Sequence, residues 1–86
     1  MQVEQERVAD AVKRLRRAQG QIAGVVRMIE EGRYCADVVT QLAAVSRALD
    51  KAGFAIIAAG LSQCMQAGDE GQLDLQRLER LFLSLA

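Results

Sequence analysis

Apolar residues recur every three or four positions along the first third of the chain, which is the repeat of one face of an α-helix. Gln19 is the one polar member of this seam. Its apolar members are Val8, Val12, Leu15, Ile22, Val26 and Ile29. The pattern predicts a first helix over residues 1–32, ended by Gly32. We expect Gly20 and Gly24, inside this helix, to allow a neighbouring backbone to pack closely.

The second predicted helix, over residues 34–66, is apolar on two sides. One stripe consists of Val38, Leu42, Val45, Leu49, Ala52, Ile56 and Ala59. The other stripe consists of Phe54, Ile57, Leu61 and Cys64. A helix that is apolar on two sides is buried on two sides. We therefore expect one side to pack on the first helix and the other to need a second chain.

The remaining pattern completes an all-α protomer of three helices. Residues 67–72 have the composition of a turn, and residues 73–85 predict a short third helix with a leucine-rich face. The length predicts a single domain over residues 1–86. Because 51% of the residues are hydrophobic, more than one small core can cover, we expect an antiparallel helical dimer.

Composition removes several classes of function. The chain has no histidine and only 3% aromatic residues, which excludes imidazole chemistry and argues against base stacking on single strands. No general base, metal cluster or phosphate loop points to an enzyme. With no signal peptide pattern and no apolar run of about 18 residues, we expect a cytoplasmic protein without a membrane partner.

A basic cluster lies in a window, residues 11–29, that contains no acid, although the net charge is zero. Its main members are Lys13, Arg14, Arg16 and Arg17. Arg47 and Lys51 extend this surface, with Asp50 between them. The cluster is either a solvated helix face or a binding surface for DNA phosphates, which a two-fold oligomer repeats.

The two cysteines, Cys35 and Cys64, are 29 positions apart in the second predicted helix. In a continuous helix they share a face to within about 20° and stand about 43 Å apart. A disulfide needs Cα atoms within about 7 Å, so one protomer cannot pair them. An antiparallel second copy can pair them twice. They are either small buried hydrophobes or a soft thiolate pair, a donor set suited to Cu(I) rather than to zinc.

The segment RLRRAQGQIAGVVRMIEEGRYCADVVTQLAAVSRALD resembles the copper-sensitive operon repressor family (CsoR/RcnR/FrmR), small all-helical bacterial DNA-binding repressors. The resemblance runs from about residue 12 to residue 65. It implies a tetramer built from two dimers and operator double-stranded DNA bound by the basic face of the first helix. It also implies an inducer site between protomers, at Cys35 and Cys64.

One position departs from the family's copper sensors, which carry a histidine four residues before the last cysteine, where this chain has Gly60. A site with two cysteines and no histidine resembles the persulfide-sensing CstR-like branch, whose members link the two cysteines across protomers through disulfide or longer sulfur bridges. The resemblance thus favours a repressor without a cofactor that reactive sulfur species release from DNA. The Cys35 thiol would attack the reactive sulfur species and carry a persulfide. Cys64 of a neighbouring protomer would then resolve this persulfide.

Two alternatives remain open. One is a Cu(I)-sensing repressor that binds the metal through Cys35 and Cys64, with Met65 or nothing as a third ligand. The other is a purely structural helical oligomer with no DNA function.

Overall fold

The computed structural model describes residues 1–85. Three α-helices follow one another: α1 (Ala9–Glu30), α2 (Cys35–Ala67) and α3 (Gln72–Leu85), with a short 3-10 turn at Gly68–Gly71 between α2 and α3. The predicted all-α protomer with two long helices and a short third one is confirmed. The fold is elongated, with extents of 54 × 24 × 13 Å.

The prediction that the first helix begins at residue 1 is wrong, because residues 1–8 precede α1. The apolar repeat itself begins only at Val8. Before it, the N–H groups of Arg7 and Val8 donate to the carbonyls of Glu4 and Gln5, which makes a turn rather than a helix. This segment packs against the C-terminal end of α2 instead of extending α1 away from the body of the protein.

The end of α1 follows the prediction made for Gly32. This residue adopts a left-handed backbone with φ of 71°, which glycine reaches without the steric penalty of a Cβ. Its N–H donates to the Ile29 carbonyl at 3.1 Å, and the Arg33 N–H donates to the Met28 carbonyl at 3.0 Å. The last carbonyls of α1 are thereby satisfied, and the chain reverses into α2.

The buried stripe of α1 consists mainly of small residues rather than of the predicted seam. Buried in this helix are Ala11, Ala18 and Val25. Four members of the predicted seam remain 41% to 61% exposed: Val12, Ile22, Val26 and Ile29. Two helices approach more closely where alanines face each other, so the contact with α2 is rotated away from the larger side chains.

Within the protomer, no other segment that the structure describes packs closely against the two glycines inside α1. A Cβ added at Gly20 or Gly24 would meet no other atom within 4 Å. Neither position is therefore required for the contact between α1 and α2.

The second apolar side of α2, for which we expect a second chain, packs against α3 within the protomer. The rings of Phe54 and Phe82 pack with centroids 5.4 Å apart and planes inclined at 60°. A Cβ at Gly60 would lie 3.0 Å from Cδ1 of Leu78, and one at Gly53 would lie 3.2 Å from Cδ1 of Leu85. The two glycines thus let α3 lie directly against the backbone of α2.

Large apolar side chains nevertheless remain on the outside of the protomer. On α2 and α3 they include Val39, Leu42, Leu49, Leu73, Leu81 and Leu83. Exposed apolar surface of this extent marks interaction sites on soluble domains. Within residues 1–85, none of the helices has the length and apolar character that a membrane crossing demands.

Candidate functional site

Cys35 is the first residue of α2, and its side chain is exposed. Tyr34 precedes it as the N-cap residue, and the Tyr34 carbonyl accepts the N–H groups of Asp37 and Val38 at 3.0 and 3.1 Å. The first turn of a helix favours anions. This placement agrees with the sequence prediction and leaves the Cys35 sulfur open to a reagent or to another chain.

Cys64 lies near the other end of α2 and is only 2% exposed. Gly71, where the chain turns into α3, crosses the Cys64 backbone so closely that an added Cβ would overlap the Cys64 carbonyl. The Cys64 thiol donates to the Met1 thioether, with Sγ and Sδ 3.6 Å apart. Inside the protomer, Cys64 is therefore enclosed by the Gly68–Gly71 turn and by Met1.

The N-terminal segment is held over Cys64 by hydrogen bonds to the last turns of α2. The Glu4 N–H donates to Oε1 of Gln63 at 3.0 Å, and Nε2 of Gln63 donates to the Gln2 carbonyl at 2.8 Å. Nη1 of Arg7 donates to Ser62 at 3.3 Å, and the Arg7 guanidinium also bonds to Gln66. Sequence reasoning missed this contact, since its only signal was an apolar repeat that started late.

The two cysteines are the first and the thirtieth residues of one uninterrupted helix. At about 1.5 Å rise per residue they are about 43 Å apart, so they cannot meet within a protomer. Among the side chains that the structure describes, which leave out those of residues 69 and 70, no group of three or more His, Cys, Asp or Glu is arranged to hold a metal ion. Any site that uses both cysteines needs a second copy of the chain.

The basic cluster of α1 is exposed. Lys13 and Arg16 lie opposite the buried stripe of Ala11 and Ala18, and Arg17 lies on a flank. Among the side chains that the structure describes, Lys13, Arg16 and Arg17 form no ion pair. These three cations are available to a polyanion.

Arg14 differs from the rest of the cluster because it is paired. Its Nε donates to Oδ2 of Asp10 at 2.9 Å, one helical turn away. This hydrogen bond, together with the charge of Arg14, lowers the pKa of Asp10 below its ordinary value of 3.8. Asp10 therefore stays ionised at neutral pH and offsets part of the positive charge of Arg14.

Arg47 and Lys51 are exposed on α2, but they do not continue the surface of the α1 cluster within one protomer. Val45 and Ala52 mark the buried side of α2, and the helical repeat places Arg47 and Lys51 on the side turned away from it. The two basic groups thus face outward from opposite sides of the hairpin.

Comparison with known proteins identifies the family. The model of the metal-sensitive transcriptional repressor family matches residues 7–84. The chain belongs to this family. Because its members are transcriptional repressors, the expectation that the protein is not an enzyme is confirmed. The resemblance seen in the sequence to copper-sensitive operon repressors is confirmed as well.

Relatives that are similar in sequence are named as copper sensors. The copper-sensing transcriptional repressor RicR of Mycobacterium tuberculosis is 49% identical over 53 residues, which cover 62% of this chain and 55% of the relative. The copper-sensing transcriptional repressor CsoR of Mycobacterium ulcerans is 39% identical over 57 residues, which cover 66% and 49%. The chain thus matches about half the length of these relatives. No solved structure matches.

Proposed function

We propose that the protein is a transcriptional repressor that binds operator DNA in its metal-free form and is released by Cu(I). The observation that carries this proposal is the pair of cysteines at opposite ends of one helix, in a chain whose similar relatives are named as copper-sensing repressors. This is the second of the two sensor functions that the sequence suggested, and the similar relatives favour it over persulfide sensing.

The proposed Cu(I) site lies between two protomers. Cys64 of one copy and Cys35 of a second copy come together when their α2 helices run antiparallel, and the two-fold axis makes two such sites. Thiolates are soft ligands that select Cu(I). The exposed apolar residues of α1 and α2 supply a surface for this dimer, and two dimers form the proposed tetramer.

DNA is proposed to bind through the exposed cations of α1: Lys13, Arg14, Arg16 and Arg17. A dimer presents this face twice, so the spacing between the two faces has to match two half-sites on the duplex. Arg47 and Lys51 lie on the opposite side of the hairpin and would contact DNA only if the oligomer brings them to the same surface. Binding through phosphates weakens steeply with salt.

Release from DNA follows if Cu(I) favours a different arrangement of the protomers. A ligand shifts such an equilibrium only by its difference in affinity for the two states. A metal that ties Cys35 of one chain to Cys64 of another favours the arrangement in which these sulfurs are close. The two α1 faces then no longer fit both half-sites.

The test measures Cu(I) and DNA binding on the same anaerobic samples. Wild type should take Cu(I) from a chromophoric chelator and lose at least about tenfold in affinity for DNA from upstream of its own gene, the usual range of allosteric coupling. Cys35→Ser and Cys64→Ser should bind this DNA without responding to Cu(I). A wild-type protein that binds Cu(I) through both cysteines and keeps its full DNA affinity would contradict the proposal.

The basic face has its own test. A double Arg16→Ala and Arg17→Ala variant should lose DNA affinity and show a smaller salt slope, because each phosphate contact adds about 0.9 to that slope. A double variant of Arg77 and Arg80 on α3, changed to alanine, is the matched control and should bind DNA as wild type does. Equal affinity of both double variants would show that the α1 cluster is only a solvated face.

Persulfide sensing is the second candidate, favoured by Gly60, which has no side chain to bind metal, and by the exposed Cys35 thiol. The Cys35 thiolate would attack the outer sulfur of a low-molecular-weight persulfide, releasing the thiol and leaving a persulfide on Cys35. Cys64 of a second copy would attack the inner sulfur and expel hydrogen sulfide, which leaves a disulfide between protomers. Further sulfane sulfur would lengthen the bridge.

Non-reducing electrophoresis with intact mass separates the two candidates. Persulfide sensing requires a covalent dimer that forms in wild type, fails to form in Cys35→Ala and stops at a persulfide in Cys64→Ala. Because Met1 and the Gly68–Gly71 turn cover Cys64, both candidates require this end of the protomer to open enough for Cys35 of the second copy to approach. Loss of DNA affinity on cross-linking, without a response to Cu(I), would make this candidate the correct one.

A further inference from the structure

The thioether of Met1 lies next to the Cys64 thiol. Its Sδ is 3.6 Å from the Cys64 Sγ. Its methyl carbon lies 3.8 Å from the point where a Cβ on Gly60 would be. Gly60 is the position at which the family's copper sensors carry a histidine. In this protein Cδ1 of Leu78 lies nearest to that point, at 3.0 Å, and the Met1 side chain lies beside it.

Met1 is anchored from several directions. Its backbone amino group donates to Oδ2 of Asp74 on α3 at 3.0 Å. Gln63 bonds to the backbone of Gln2 and Glu4, the residues that follow. Arg7 ties the end of the same segment to the last turns of α2. The thioether is therefore positioned by contacts of the N-terminal segment with α2 and α3.

The distance and the chemistry both suit a single soft ion. A metal bonded to two sulfurs at about 2.3 Å each holds those sulfurs no more than about 4.6 Å apart, and 3.6 Å is within this limit. Thioether and thiolate sulfurs select Cu(I) over harder ions. Cys64 itself is 2% exposed, whereas Met1 is 54% exposed, so the thiol is buried and the thioether lies at the edge of the protein surface.

Met65 does not compete for this role. It follows Cys64 in the helix, so its side chain leaves α2 in another direction, and it is 73% exposed. The sequence suggested Met65 as a third ligand because it is adjacent in the chain, whereas the structure brings Met1 to the thiol.

We propose that Met1 Sδ is the third Cu(I) ligand, beside Cys64 of the same protomer and Cys35 of a second copy. This inference rests on the proposed Cu(I)-sensing function. It explains how a copper site can exist in a chain without histidine. The N-terminal segment, in this arrangement, is a structural part of the site.

Selenium at position 1 tests the proposal directly. Selenomethionine is incorporated into a variant carrying Met28→Leu and Met65→Leu, so that Met1 is the one selenium site. After loading with Cu(I), selenium-edge X-ray absorption should show copper in the first shell of selenium. A matched variant that retains only the methionine at position 65 should show no copper neighbour.

Affinity gives a second readout. Met1→Leu and wild type are both released from a cleavable N-terminal fusion immediately before position 1. We expect Met1→Leu to lower the Cu(I) affinity at least tenfold in chelator competition, because it removes one ligand of three, and Met65→Leu to leave it unchanged.

The outcomes separate this inference from the proposed function. If both cysteines are needed for Cu(I) but selenium at position 1 has no copper neighbour, Met1 is not a ligand and the Cu(I) sensor stands. If Cu(I) binding does not depend on the cysteines, both proposals fall.

Discussion

The two ends of α2 carry the same side chain in opposite surroundings. At the N-terminal end, Cys35 is exposed beside a helix cap that uses no side chain. At the C-terminal end, Cys64 is 2% exposed beneath the Gly68–Gly71 turn and Met1. The N-terminal end of α2 is open to solvent, whereas the C-terminal end is already covered by other residues of the same protomer. A site shared between two copies can therefore have one preorganised half and one half that arrives with the second chain.

The contrast between the two ends of α2 also predicts which substitutions affect folding and which affect metal binding. Substitutions at the closed end should disturb folding as well as metal binding. Substitutions at the open end should disturb metal binding alone. Four experiments test this division, in order of decreasing effect.

Gly71→Ala should have the largest effect, because the new Cβ would overlap the Cys64 carbonyl and force the backbone to move. We expect a loss of about 3 kcal/mol in the free energy of unfolding, the upper range for overpacking. Urea denaturation measures it. Gly20→Ala, where a Cβ meets nothing within 4 Å, is the control and should leave stability equal or raise it by up to about 1 kcal/mol. Equal stability of both variants would mean that the closed end is loosely packed.

Cys64→Ser should come next, because it places a hydroxyl where a buried thiol faces a thioether. An unsatisfied buried hydroxyl costs about 1–3 kcal/mol. Cys35→Ser should stay within about 0.5 kcal/mol of wild type, as most surface substitutions do. The pair is compared by urea denaturation without metal. Comparable losses for the two variants would show that the two ends are equally buried in the working protein.

Thiol alkylation should distinguish the two ends without any mutation. Cys35 should react with iodoacetamide at least about tenfold faster than Cys64, which becomes accessible only through local opening. Peptide mass spectrometry after timed quenching gives both rates in one sample. Equal rates, or a faster Cys64, would be inconsistent with a closed end. Rates that become equal in urea would confirm that folding is the cause of the difference.

Arg7→Ala should have the smallest effect and should act on one end only. It removes the bonds from Arg7 to Ser62 and Gln66, at a cost of about 1 kcal/mol because these bonds are partly exposed to water. Alkylation of Cys64 should accelerate a few-fold while that of Cys35 stays constant. Arg33→Ala, which removes a cation near Cys35 instead, is the matched control and should leave the Cys64 rate unchanged.

The sequence by itself determined the elements and the geometry along them. The apolar repeat located three helices, Gly32 ended the first, and 29 positions of unbroken helix separated Cys35 from Cys64. These features depend on interactions between residues that are close in the chain and on the fixed rise of the helix. They can therefore be predicted from the order of the residues alone.

The tertiary structure alone decided what covers each face. Ala11 and Ala18 are buried in α1, whereas the larger Val12 and Ile22 remain exposed. The reason is that the closest approach of two helices depends on the side chains of both helix surfaces. The enclosure of Cys64 by Met1 joins residues 63 positions apart. No periodicity within one helix predicts such a contact, because it is fixed by hydrogen bonds between distant segments that exist only once the chain has folded.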